Sequence, residues 1–95
     1  MYYITCLQHK PSETTNGGDL RTFGYFKSLQ DAQHALAVNR YDMHETTYDY
    51  AVIERIPEGI HPDAQIIGWY QYNPQEKTFE PIAFFKQPYV NFAFG

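Results

Sequence analysis

The chain predicts an α+β domain, a mainly antiparallel sheet of four to six strands with one main helix packed on a face. Three stretches carry that expectation. Leu20–Ile56 reads strand, helix, strand, as LRTFGYF, KSLQDAQHALAVNRYDMHETT and YDYAVIERI. A polar turn-forming run separates it from a β-prone N-terminus. A second hairpin pattern, broken by Asn73-Pro74, follows it. At 95 residues the chain predicts one domain spanning residues 1–95.

Tyr2 to Gln8 alternates as a strand, with Tyr2, Ile4 and Cys6 on one face and Tyr3, Thr5 and Leu7 on the other. Both faces are mostly apolar, which places the strand inside the sheet. His9 to Asp19 is a polar loop, and Asn16-Gly17-Gly18-Asp19 supplies residues that tolerate positive φ in a tight turn. Arg21 to Phe26 is β-prone, rich in aromatics and Thr. Ser28 offers an N-cap oxygen, with Asp31 in the first turn, where negative charge is favoured. Leu29, Ala32, Leu36 and Met43 then fall at helical spacings. Asn39 interrupts that stripe and predicts an end or kink, because Asn tolerates the left-handed conformation. The alternative is a helix running to about Thr46, with Asn39 needing a buried partner.

Ala51, Val52 and Ile53 form an apolar run suited to a central strand covered on both faces. Pro57 and Pro62 end it. Gln65 to Tyr72 is the next strand, and Gly68 in its middle marks a bulge or a close backbone approach. Thr78 to Ile82 returns beside it, with Pro81 restricting it to an edge or a strand end. Tyr89 to Phe94 is too apolar for a free tail, and is expected to dock as a last strand or to pack across the sheet.

The net charge is −4, and it is unevenly placed. Residues 28–64 carry seven acidic groups against two basic ones, Arg40 and Arg55. Such a surface repels phosphate backbones, which argues against direct nucleic-acid binding. It suits a basic protein partner, although most such runs are simply solvated faces. Seventeen aromatic residues, nine of them Tyr, serve a thin core, a recognition surface, or both. A sheet this aromatic with one helix leaves a face to cover, so a homo-oligomer is expected. The single Cys6 excludes an internal disulfide and fits a reducing cytoplasm. No apolar run approaches the length of a membrane span and no signal-peptide pattern opens the chain, so a soluble, cytoplasmic protein is expected, with no membrane contact.

No segment carries a recognisable catalytic signature. His44-Glu45-Thr46-Thr47-Tyr48 approaches the zincin motif, but Tyr48 replaces the second His, so no metal site is expected. Cys6 is mid-strand on an apolar face, where burial raises a thiol pKa and makes it a poor nucleophile. The chain has no nucleophile elbow, P-loop or dinucleotide fingerprint, and no cofactor is expected. The most informative constellation joins the start of the second strand to the connection leading to the third. Asp19, Arg21 and Thr22 come from the start of the strand, with the aromatics Phe23 and Tyr25 beside them, and Asp42, His44, Glu45 and Tyr48 come from the connection. Its structural reading is an ion pair from Arg21 to Asp42 or Glu45. Its functional reading is a ligand site, with Arg21 as forked anion donor, aromatic rings to stack on a base, and Tyr48 or Glu45 at the opposite wall. If the connection is helical, Asp42, Glu45 and Asp49 share one face.

The segments RTFGYF, NRYDMHETTYDYAVIERIPEGIHP and NFAFG resemble a family of short uncharacterised proteins from gut Gram-positive bacteria and their phages. Arg21, Phe23, Gly24, Asn39, Asp42, Glu45, Tyr48 and Tyr50 match its pattern, and the loop at residues 9–19 varies. The resemblance implies no reaction and assigns no residue a role. Its phage setting implies an anti-defence inhibitor or a ligand sponge. The expected function is therefore a small non-enzymatic binding protein, one that sequesters an anionic, nucleotide-like signalling molecule or blocks a host protein. The alternatives are an acidic inhibitor mimicking a nucleic-acid backbone, and a small nucleotide-processing enzyme with Glu45 or His44 as base.

Overall fold

The computed structural model describes residues 1–10, 18–57, 65–83 and 92–93, with Tyr41 described by its main chain alone. In chain order they form β1 (Tyr2–Leu7), β2 (Leu20–Phe26), α1 (Leu29–Ala37), a 3-10 turn at Arg40–Asp42, β3 (Tyr50–Arg55), β4 (Gln65–Asn73) and β5 (Thr78–Ile82). The strands build one sheet in the order β2-β1-β3-β4-β5. Every neighbouring pair is antiparallel, and α1 packs against one face. This is the α+β architecture the sequence predicts, with β3 in the middle and the Pro81 strand at an edge.

Side-chain alternation gives the sheet two apolar faces. Ile4 and Cys6 of β1, Ala51 and Ile53 of β3, Tyr70 of β4 and Phe79 of β5 meet Ala32, Ala35 and Leu36 of the helix. Leu7, Val52 and Trp69 point the other way, and there Phe92 lies on them. The Phe92 ring stands edge-on to Trp69, with centroids 5.5 Å apart. The C-terminal segment thus packs across the sheet at Phe92. Residues 89–91 and 94 of the predicted segment lie outside the described residues, as do most of the predicted 9–19 loop and the Pro62 segment.

Glu54 departs from the charge reading. It belongs to the acidic excess by sequence, yet it is fully buried on β3. Its carboxylate accepts the main-chain N–H of Phe92 at 2.7 Å and of Ala93 at 3.0 Å. Burying a carboxylate is costly unless hydrogen bonds replace its water, so these donors fix the C-terminal residues over this strand.

Local chemistry explains the boundaries. Ser28 caps α1 by accepting the Asp31 N–H at 3.2 Å. The helix ends at Ala37 because Asn39 adopts the left-handed conformation, with φ 46°, while its N–H bonds Leu36 O. The longer helix to Thr46 does not form. Asp42, Glu45 and Thr46 also have positive φ, so the connection folds as successive turns. Two bulges bend the sheet. Ile4 pairs with Gly24 and Thr5 with Thr22, leaving Phe23 as the extra residue of β2. Ile53 pairs with Gly68 and Glu54 with Ile66, leaving Ile67 extra on β4. The bulge read from Gly68 is therefore present.

Two expected outcomes follow from this core. Ile53 is fully buried on the middle strand, so Ile53→Ala is expected to cost about 2–5 kcal/mol in chemical denaturation. A loss below about 1 kcal/mol would place β3 outside the cooperative core. Glu54→Leu removes the acceptor of two main-chain donors, and is expected to cost roughly 2–4 kcal/mol and to open the C-terminus to limited proteolysis. Unchanged protease resistance would show that the Phe92 ring alone holds the segment.

Candidate functional site

The bulge in β2 and the turns after α1 together build a cavity at the β2 side of the sheet. Gly24 has φ +153°, a conformation that L side chains rarely adopt, and a Cβ placed there would meet nothing within 4 Å. The open space is a cavity of about 280 Å³. Phe23, Gly24 and Phe26 of β2 form one wall. Ile4 of β1, Ala35 of α1 and Met43 beyond the 3-10 turn form most of the rest. Among the described lining residues Arg40 is the one that is charged, and the others are apolar or aromatic. Arg40 is half-buried, and it has no ion pair or side-chain hydrogen bond among the described residues. The left-handed Asn39 redirects the chain just before it.

The structure brings four of the predicted site residues together beside this cavity. Arg21 Nη1 donates to Glu45 Oε2 at 2.8 Å. The Arg21 guanidinium lies 4.9 Å from the Phe23 ring centroid, and Tyr48 stands edge-on to the same ring at 6.0 Å. Three others go elsewhere. Thr22 turns to the far face of the sheet, where its hydroxyl shares a 2.9 Å hydrogen bond with Thr5. Tyr25 sits opposite Tyr3, with ring centroids 5.6 Å apart, although it also borders the cavity. Asp42 is exposed and accepts from Asn39 Nδ2 at 3.2 Å. The ion-pair reading of Arg21 is the one seen, with Glu45 as its partner, and the cation facing the cavity is Arg40. Arg40 was legible only as a basic residue in the connection. Its role depends on the Asn39 turn, which periodicity alone does not direct.

The connection is held by His44. Its ring stacks on Tyr72 at 3.6 Å with 5° between planes, and its Nδ1 lies 2.7 Å from the Tyr48 carbonyl. A carbonyl only accepts, so Nδ1 carries the hydrogen. Asn39 Oδ1 accepts the His44 main-chain N–H at 3.2 Å. His44 thus spends its Nδ1 on the turn, and Glu45 is engaged by Arg21. The shared helical face of Asp42, Glu45 and Asp49 is absent, because the segment is not helical. Among the described residues no three His, Cys, Asp or Glu side chains gather as a metal cluster, and no helix is long and apolar enough to cross a membrane.

Burial governs the shifts of Cys6 and Tyr70. It pushes the Cys6 thiol up to about 12, with the nearby Glu45 carboxylate adding to the effect. It also raises the Tyr70 hydroxyl, partly offset by a side-chain hydrogen bond with Gln33. No family model, curated protein or solved structure matches this chain.

Cys6 is therefore expected to resist a thiol reagent at pH 8 in the folded state and to label only on unfolding. Fast labelling without denaturant would show that β1 opens readily. The thiol pKa is raised on folding, so its stabilising contribution is complete below pH 9.0 and is lost as pH rises toward about 12. The Arg21–Glu45 pair is exposed, and Arg21→Ala is expected to change stability by less than about 1 kcal/mol in the same denaturation experiment.

Proposed function

We propose that this chain is a small non-enzymatic binding protein that sequesters an anionic small molecule in the cavity beside Gly24. The observation that carries the reading is Arg40, a half-buried guanidinium lining an otherwise apolar cavity and lacking an ion-pair partner among the described residues. Apolar walls with one convergent polar group are the usual build of a small-molecule site. A guanidinium beside low-dielectric walls attracts an anion more strongly than one in open water. In a phage setting, sequestration of this kind makes the protein a sponge for a signalling molecule or a carrier of an inhibitory one. Self-association into a homo-oligomer belongs to the same proposal. Its premise is weaker on the second face of the sheet, where Phe92 already lies over Trp69.

Native mass spectrometry of protein purified from its host lysate is expected to show a retained small anion. Arg40→Gln is expected to weaken retention about tenfold to a hundredfold, the value of one hydrogen bond to a charged group, while Arg21→Lys leaves it unchanged. The reverse ranking would move the site to the Arg21 guanidinium over Phe23. Wild-type protein that carries no small molecule, at any stage of a gentle purification, would remove the support for sequestration.

A further inference from the structure

We infer that the ligand of this cavity is a compact apolar acid, a single ring or short acyl chain bearing one carboxylate, rather than a nucleotide. The inference rests on the binding reading above and narrows it by three observations. The first is size. The cavity holds about 280 Å³, just below the range of roughly 300–1,000 Å³ typical of drug-sized ligands. One ring or a short chain fits within such a space.

The second observation is the chemistry of the walls. Phe23, Phe26, Ile4, Ala35 and Met43 offer no hydroxyl, amide or carboxylate. A nucleobase buries donors and acceptors that need partners, and polar groups buried unpaired weaken binding. The hydroxyl of Tyr25 does not help, since its ring pairs with Tyr3 on the other face of the sheet. An aryl or alkyl body loses nothing in these surroundings. Met43 adds an adaptable thioether that accommodates either shape.

The third observation is charge. Arg40 is the one charged residue among the described residues of the lining, and a guanidinium fork matches a single carboxylate through two parallel hydrogen bonds. The other nearby cation, Arg21, is held by Glu45 at 2.8 Å. A terminal phosphate, with its higher charge, would draw on a second free cation. A monoanion matches the one available.

Calorimetric titration of the full chain tests this with 3-phenylpropionate, hexanoate, their neutral amides and adenosine monophosphate. At least one acid is expected to bind, its amide about tenfold or more weaker, and the nucleotide not at all. Arg40→Gln is expected to abolish the preference for acid over amide. Comparing acid with amide on the wild-type chain keeps the test valid if that variant folds poorly. Binding of phenylpropionate without hexanoate, or of hexanoate without phenylpropionate, supports the inference and names the ring or the chain as the body. Equal binding of acid and amide to the wild type overturns it. Nucleotide binding that depends on Arg40, with neither acid bound, overturns it while leaving the binding site in place. Failure of all five compounds overturns both this inference and the choice of cavity.

Discussion

A carboxylate inside an apolar layer is the constraint on which this structure turns. Glu54 sits on the middle strand with no solvent exposure, on the sheet face that also carries Leu7, Val52 and Trp69. A charge in that position destabilises the fold by several kcal/mol unless donors replace the water it has lost. Two such donors are the main-chain N–H groups of Phe92 and Ala93. The strand and the C-terminal residues are therefore interdependent. The carboxylate on the middle strand and the main-chain donors of Phe92 and Ala93 satisfy one another.

On the helix face, two backbone irregularities do what side-chain pattern cannot. The extra residue of the bulge puts Phe23 on the helix face with Phe26, and Gly24 leaves the space beside them unfilled. Across from it, the left-handed Asn39 ends α1 just after Ala35 has contributed to the cavity wall, and the chain continues along the cavity through Arg40 and Met43. His44, stacked on Tyr72, anchors the far end of that connection to β4. The cavity is thus bounded by a rigid sheet on one side and a pinned set of turns on the other.

These features differ in how far the sequence discloses them. Elements set by local chemistry were legible: the Ser28 cap, the Asn39 stop, the apolar run of β3, the irregularity at Gly68 and the edge position of the Pro81 strand. Each depends on neighbours within a few residues. Glu54 was not legible, because its partners lie 38 and 39 residues away. A Glu at the end of an apolar strand reads as surface until the chain's end is brought over it. The candidate site was half legible for a related reason. Arg21, Phe23, Glu45 and Tyr48 do meet, but alternation across the bulge sends Thr22 and Tyr25 to the other face. A single extra residue is enough to regroup a strand's side chains, and only the pairing partner reveals which residue is extra.

The two outer strands have a consequence for how this chain meets other chains. An exposed strand edge is a template for cross-β stacking, and an aromatic sequence raises that hazard. Here β2 is bent by its bulge and carries the exposed Arg21 on its outer course. At the opposite edge, Pro81 of β5 has no N–H to offer, and the neighbouring Glu80 adds a charged, exposed side chain. Neither border offers an incoming strand a flat, uninterrupted row of donors and acceptors. Fibril growth from the folded state is disfavoured at both ends of the sheet, and the same irregularity in β2 that opens a cavity on its face also protects its edge.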